Sequence, residues 1–579
     1  SSDYFDYNIT KEDLLGTWDT SLIQESGIYY VRLVDSSGED YVEIMLDSDI
    51  KEGWPKVLSP LNFDGRPDSS ELGSKIGNVD NDSELEIVTV RNRFAWAEIY
   101  VMKPDGQIEE GWPKIIEGDI GAIPYPTLAD VDNDGVEEIL VGTSFVDWQQ
   151  NICYEKIYCF QGNGDLIFQK TFPSTNIAAS IIATDMNNDG IVEIMWWSGY
   201  SVYMLDNLGN DFSGAWPKPL EEHSGYASNF MTVGNFDNDS DLELVVVQNK
   251  GYIYGVHDGG DMVIHVFNTD GSYVNGWPQI VEGHSCLDKV RSGDMNGDGY
   301  DEIIVVETMG NHYDVVHREI HVFKHNGSSL FVRACPVETY SPWDILMADV
   351  NNDGKAEIIF DDIQNLNICD SEGKNLPGWP YCTDNYVIAP KLTADIDYDG
   401  NIEIIAAVRQ DSFVKLIVLD AAGKIKNSNR INNKAITYDM HFNMHFTDME
   451  NDGFGDILVE FNQWVSIKNG GSYLFAQFAP SMLIYPTKAL FNEKMLDWPM
   501  PDSDIGNTAH YNKWDPLSIT KLTPNVGVAS YLVTIIGRGF GFVQENSYVE
   551  FYDGIMAQVL SWSDTEIICK VPEGAISGP

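Results

Sequence analysis

Oxygen-bearing side chains recur along this chain at a spacing suited to holding a hard cation. In DVDNDGVEE at 130–138, Asp130, Asp132, Asp134 and Glu138 stand at positions 1, 3, 5 and 9. Calcium takes six to eight oxygen ligands, and Asp or Asn at alternate positions can converge on one ion. Gly135 at position 6 permits a sharp turn, and the carbonyl of Val136 would add a further ligand. The same spacing recurs seven more times. The groups are Asn78, Asp80, Asp82 and Glu86; Asp185, Asn187, Asp189 and Glu193; Asn235, Asp237, Asp239 and Glu243. They continue as Asp294, Asn296, Asp298 and Glu302; Asp349, Asn351, Asp353 and Glu357; Asp395, Asp397, Asp399 and Glu403; Asp448, Glu450, Asp452 and Asp456. One such string reads equally well as a polar turn closed by Asx hydrogen bonds. Eight copies, each with an acid at position 9, favour Ca2+, up to eight ions in a structural role. Two copies depart from the pattern, with Asn78 and Ser83 in one and Asn235 and Ser240 in the other at positions 1 and 6. Those two are expected to bind more weakly.

The 579 residues carry 90 acidic against 35 basic side chains, a formal net charge of −55. Twenty-seven carboxylates belong to the loops, and eight Ca2+ at two charges each would bring −55 to −39. Uncompensated, three or four carboxylates a few ångströms apart repel and would splay a loop. The charge argues against nucleic acid, whose phosphates call for Lys and Arg, and against docking on an anionic membrane. No apolar run approaches the roughly 18 residues that span a bilayer, so direct membrane insertion is not expected.

The loops begin at 78, 130, 185, 235, 294, 349, 395 and 448, spaced 46 to 59 residues apart. A period of that size signals a repeat architecture. An alternating stretch follows each loop at some distance, as in AEIYVM (97–102), EKIYCF (155–160) and EIHVF (319–323). Next comes a turn such as PDGQ (104–107) or TDGS (269–272), and often a Trp-Pro pair. The pairs are Trp112-Pro113, Trp216-Pro217, Trp277-Pro278 and Trp379-Pro380. Period-2 alternation between Gly and Asp turns reads as antiparallel hairpins. Each unit then supplies four short strands, one blade of a β-propeller. Proline is confined to edge strands, which places Trp-Pro on the outermost strand with the indole between blades. The fold class expected is all-β, an eight-bladed β-propeller, with seven blades and one repeat outside as the alternative.

These units resemble the FG-GAP (integrin α-type) repeats of surface proteins and span residues 50–511. DWPMPDSDIGNTAHY (497–511) resembles the stretch that often closes such propellers. Residues 1–49, with GTWDTSLIQESGIYYVRL at 16–33, resemble the last strands of a β-sandwich found in secreted subtilisin-like proteases and cell-surface proteins. Residues 512–579, with LSITKLTPNVGVASYLVTIIGRGFG and SWSDTEIICKVP, resemble an IPT/TIG immunoglobulin-like domain lacking its last strand. The expectation is a piece of a larger protein, cut through a domain at each end. The resemblance implies an extracellular or cell-surface adhesion, binding or scaffolding module. Its partners would be a carbohydrate or an extracellular protein, with self-assembly through the flanking domains.

In a four-stranded blade the acidic loops join strands 1 and 2, so the 2–3 connections lie on the opposite face. Four of them read as long aromatic loops: RNRFAWAE (91–98), SFVDWQQNICYE (144–155), MWWSGYS (195–201) and TMGNHYDVVHRE (308–319). Loops on a rigid scaffold commonly carry function. Trp96, Trp148, Trp196, Trp197, Tyr200, His312 and Tyr313 are therefore candidate ligand contacts, the alternative being rings packed between blades. His317, Glu319, His321 and His325 share a strand face and read as an exposed outer stripe rather than a zinc site, whose ligands usually come from several elements. His441 and His445 are expected to pack or hydrogen-bond near the propeller axis. Of seven cysteines, Cys369 and Cys382 flank a turn that a disulfide would close, the alternative being free thiols; Cys153 and Cys159 read as buried thiols. No GxSxG elbow, Gly-rich phosphate loop or Cys-His pairing of known spacing occurs, so no catalytic residues are assigned. A polysaccharide lyase, or the accessory region of a secreted subtilisin-like protease, is the alternative, and it rests on fold analogy alone.

Overall fold

Each acidic loop runs into an apolar stretch that forms the second strand of an antiparallel sheet. The computed structural model describes residues between 27 and 572, leaving out chiefly 58–71, 221–229, 251–260, 336–344, 432–441 and 499–517. The chain divides into two compact units, Ser1–Tyr511 and Asn512–Pro579. The described residues are all-β, in many small antiparallel sheets.

In the first unit the first acidic loop belongs to a sheet of Leu72–Gly77, Glu86–Arg93, Trp96–Met102 and Lys114–Glu117, paired in chain order. Six sheets on the same plan follow, around second strands Glu138–Asp147, Glu193–Ser198, Glu243–Lys250, Glu302–Asn311, Glu357–Asp362 and Glu403–Gln410. Every one of these strands opens on the position-9 Glu of its loop. The last sheet takes Phe442–Thr447, Phe454–Asn469 and Ser472–Leu490 in order, but its fourth strand is Lys56–Val57, from the other end of the unit. A short strand, Leu496–Trp498, pairs with Val387–Ala394, the first strand of the seventh sheet. Gly27–Val34 and Glu39–Leu46 form a separate hairpin.

Each of these sheets is covered on both faces, which is why the second strands are apolar without alternation. The first packs on the second through Val88 and Val90 against Leu128, Ile139 and Val141. The second meets the third through Leu140, Ile157, Ile194 and Trp196, and the third meets the fourth through Met195, Trp197, Leu244 and Val246. The series continues through the fifth, sixth and seventh sheets to the eighth. There Leu458, Met482 and Ile484 pack against Ile76, Ile87 and Met102 of the first sheet.

The Trp-Pro pairs precede the fourth strands, and their indoles lie between sheets. Trp112, Trp216, Trp277 and Trp379 are only 6–8% exposed. Each Nε1–H donates to a turn of the following sheet, at the carbonyls of Gly162 (2.5 Å), Thr269 (2.7 Å), His325 (2.8 Å) and Ala421 (2.8 Å). Trp54 makes the same bond to Pro104 of the first sheet, at 2.8 Å. The motif at Gly53-Trp54-Pro55 was thus a fifth copy, separated by the whole unit from the sheet it serves. Glycine precedes Trp112, Trp277 and Trp379 because the next sheet's backbone leaves no room, while Ala215 precedes Trp216. A Cβ at Gly378 (φ +97) would sit 2.2 Å from the Ala422 oxygen, and one at Gly276 (φ +100) 2.3 Å from that of Asn326. Gly378→Ala should cost about 1–2 kcal/mol from the left-handed backbone alone, with the clash added. A urea midpoint equal to that of the parent protein would refute this.

The second unit pairs Ser518–Thr523, Leu532–Arg538, Glu566–Lys570 and Gln558–Trp562 in that order. Its small core holds Val533, Ile535, Ile567 and Cys569.

Candidate metal centres

The loops are built from the inside outwards. Position 2 is apolar and drives into the core, as with Val131, Met186, Phe236 and Met295. Its backbone N–H is then cut off from water and needs an acceptor. In the first seven loops the position-9 glutamate supplies one through Oε2. The bonds run to Val79 (3.1 Å), Val131 (2.8 Å), Met186 (2.9 Å), Phe236 (2.7 Å), Met295 (3.0 Å), Val350 (3.0 Å) and Ile396 (3.0 Å). The glutamate is thereby fixed with its other oxygen facing into the loop. In the eighth loop Asp456 is one methylene shorter, and its Oδ2 instead meets Lys51 at 3.1 Å.

Position 1 organises the turn. Asp130 Oδ1 accepts from Asp134 N–H at 3.0 Å and Oδ2 from Gly135 N–H at 2.9 Å. Asp185, Asp349, Asp395 and Asp448 do the same for their positions 5 and 6. Position 4 is left-handed at Asn133, Asn188, Asn352 and Asn451, with φ of 54–60°. Gly135 and Gly190 at position 6 have φ of +92° and +84° with open space where a Cβ would go, so conformation alone demands glycine. The two departing loops are consistent within themselves. An Asn at position 1 offers one acceptor instead of two, and position 6 then needs no glycine. Position 5 accepts from position 7 in these loops as well, at Asp82 (2.7 Å) and Asp239 (3.0 Å).

What remains fits a cation. Ligand oxygens of Asp130, Asp132 and Glu138 lie within 4.8 Å of one another, as do those of Asp237, Asp239 and Glu243 and those of Asp395, Asp397 and Asp399. Asp80 and Glu86 form a similar group with Glu109, a residue outside the nine-residue pattern that the hairpin after the third strand brings in. Glu86 Oε1 and Asn235 Oδ1 are buried with no hydrogen-bond partner among the described residues. Burial, reinforced by the neighbouring aspartates, pushes Glu138 and Glu193 up to about 7 and Glu86, Glu243, Glu302 and Glu357 up to about 8. Without metal these groups hold a proton in the folded chain at pH values where the unfolded chain has released it. Their contribution to stability is present below the ordinary glutamate range and is lost as pH rises through 7–8. In EGTA the melting temperature should therefore fall between pH 5.5 and 8.5, and, if a cation fills the loops, the gap to the protein in millimolar calcium should widen. A gap independent of pH would contradict this.

The aromatic candidates divide. Trp196 and Trp197 are 0% and 1% exposed and belong to two inter-sheet cores, so they form no binding face. The cause is that MWWS is not loop but the end of the strand Glu193–Ser198, with tight hairpins where long loops were expected. Trp96 opens the strand Trp96–Met102 and donates to Glu98 at 3.0 Å, while Tyr200 is exposed. Trp148, His312 and Tyr313 lie outside the described residues.

The histidine stripe is not an exposed one at His321, which is buried with Nε2 3.2 Å from Glu307 and 3.4 Å from Glu319; His325 is partly buried with its ring 4.5 Å from that of Tyr300, and the side chain of His317 lies outside the described residues. His445 is buried 3.7 Å from Glu460, and His441 lies outside the described residues. Cys369 and Cys382 are free, because the register sets Cys382 opposite Asn365; Cys159 is a buried thiol.

Residues 185–246 and 294–360 match the family of FG-GAP-like repeats, and residues 517–579 match the IPT/TIG domain. The chain carries FG-GAP-like repeats and an IPT/TIG domain, both typical of extracellular and cell-surface proteins. No curated protein matches it. Among solved structures, the V. cholerae biofilm matrix protein Bap1 is similar at 14% identity over 79% of this chain and 96% of its own, with a TM-score of 0.32. The Bacillus licheniformis rhamnogalacturonan lyase PL11 is similar at 15% identity over 84% and 85%, with a TM-score of 0.34. BBS1N, solved in complex with ARL6DN, is similar at 12% identity over 63% and 93%, with a TM-score of 0.36. No helix is long and apolar enough to cross a membrane among the described residues.

Proposed function

We propose that the first unit is an eight-bladed β-propeller whose acidic loops hold up to eight structural calcium ions, and that it serves outside the cell as a binding or scaffolding module. The observation that carries this reading is the shared loop closure. Position 9 is locked by a backbone bond while the remaining carboxylate oxygens converge, a costly arrangement unless a cation joins them. The sequential packing of eight sheets, with the eighth against the first, supports the blade count. Calcium suits an all-oxygen site, and extracellular modules bind it at about 10⁻⁴–10⁻³ M. Calorimetric titration tests the metal, and absence of binding at millimolar calcium would overturn it.

Partner contact is assigned to the hairpin of the eighth sheet, on the face opposite the loops. Its strands pair with each other far beyond the last positions at which, among the described residues, the sheet's outer strands join them, Phe442 opposite Phe461 and Val57 opposite Ser481. Residues 462–469 and 472–480 thus continue as a two-stranded arm whose sequence includes Trp464, Tyr473, Phe475 and Phe478. Such a ribbon offers backbone edges to which another chain can add. Replacing 463–479 by Asn-Gly should abolish binding to extracellular matrix proteins or acidic glycans on an array while leaving calcium-dependent melting intact.

A further inference from the structure

We propose that the seventh and eighth loops are closed by lysine instead of calcium, and that through Lys51 of the eighth the seam joining the two ends of the first unit holds without metal. The inference rests on the calcium reading for the other six loops.

Lys426 stands on Ile425–Ile431, the fourth strand of the seventh sheet. Its Nζ lies 2.6 Å from Asp397, 3.1 Å from Asp399 and 2.7 Å from Glu403. Those are positions 3, 5 and 9, and an ammonium has three N–H donors for three carboxylates. The nitrogen thus meets three of the four side chains that would ligate a metal in this loop. Lys51 does the same in the eighth loop, contacting Glu450 at position 3 and Asp456 Oδ2 at position 9, the latter at 3.1 Å. This loop reverses the side-chain lengths of the others, with a long acid at position 3 and a short one at position 9. The reversal loosens the backbone lock on position 9 and lets both carboxylates meet an ammonium. Lys51 is partly buried, with its side chain 15% exposed, and Lys426 lies on the exposed edge of its sheet with its side chain 27% exposed and turned to the three carboxylates.

Charge agrees. The seventh and eighth loops carry four ligand carboxylates each, against three in every other loop but 130–138. One lysine returns them to the net charge of the three-carboxylate loops. An ammonium and a calcium ion cannot share one site, since like charges in contact repel at any interior dielectric.

The placement gives the substitution a purpose. Lys51 N–H donates to Ile484 O at 2.9 Å, on the third strand of the eighth sheet. The same segment carries Trp54, bonded to the first sheet, and Lys56–Val57, the fourth strand of the eighth. Lys51 is a latch between the amino-terminal segment and the last acidic loop. When calcium is scarce, six loops lose their cation and the seam does not.

Calcium stoichiometry by equilibrium dialysis of the full chain provides the test. The parent protein should bind six ions, Lys426→Met seven, and the Lys51→Met/Lys426→Met double variant eight, while Lys426→Arg stays at six. Eight ions on the parent protein would overturn the lysine inference and leave the calcium reading standing. No ions on any variant would remove the calcium reading. The lysine role is then decided by melting in EGTA, where each Lys→Met change should lower the transition by about two degrees. Equal melting of variants and parent in EGTA would overturn it, and the single Lys426→Met variant, away from the seam, keeps the test open if the double variant fails to fold.

Discussion

Withdrawing calcium with EGTA should lower the melting temperature of this protein by roughly 3–10 °C, and added calcium should restore it. At millimolar calcium, a site of about 10⁻⁴–10⁻³ M contributes roughly 0.4–1.4 kcal/mol. Six to eight loops together supply about 2–11 kcal/mol, comparable with the whole net stability of a domain. Unfolding entropy grows with chain length at about 2 cal/mol/K per residue. For a unit spanning 50–511 that is roughly 1 kcal/mol per degree, which sets the size of the shift. A large free energy thus appears as a moderate change in melting temperature. Differential scanning calorimetry with and without EGTA at pH 7.5 measures it, and superimposable transitions would refute the metal assignment. The position-1 aspartates should show the same effect one loop at a time. Asp130→Ala removes the acceptor for two backbone N–H groups as well as a ligand, so it should destabilise even in EGTA.

Replacing Trp196 and Trp197 together by alanine should unfold the first unit at 37 °C. Each indole is buried in a different inter-sheet core, Trp196 with Phe172 and Leu140 and Trp197 with Met231 and Val246. A buried Trp→Ala change costs about 3–5 kcal/mol. The two cores lie on opposite faces of one strand, so the losses should come close to adding. A loss of about 6–10 kcal/mol consumes most of an ordinary net stability. Circular dichroism and melting decide the matter, with Tyr200→Ala, at 37% exposure, as the near-neutral control. A folded double variant with lost ligand binding would instead return both rings to a binding surface.

The loops were legible in the sequence because their chemistry is local. Nine residues contain the repeated oxygen side chains and the glycine, and of the clustered carboxylates only Glu109 joins a loop from outside them. The apolar residue at position 2 and its part in locking position 9 became apparent only from burial. The aromatic face was misread for a physical reason. In MWWS two adjacent large rings look like a platform, but in a sheet covered on both sides consecutive residues point into two separate cores. Periodicity cannot distinguish an exposed pair from a pair buried in opposite directions.

By itself, then, the sequence determined the all-β repeat, the spacing of the acidic loops and the Trp-Pro position between sheets, each a matter of short-range pattern. Tertiary structure decided everything that joins residues far apart in the chain. Lys56–Val57 completes a sheet whose other strands begin at Phe442, Trp54 bonds to Pro104, and Lys51 and Lys426 reach into the last two loops. Glu109 joins the first loop in the same way. A lysine beside a strand carries no mark of the loop it will fill, because that depends on which edges the closing of the sheets brings together.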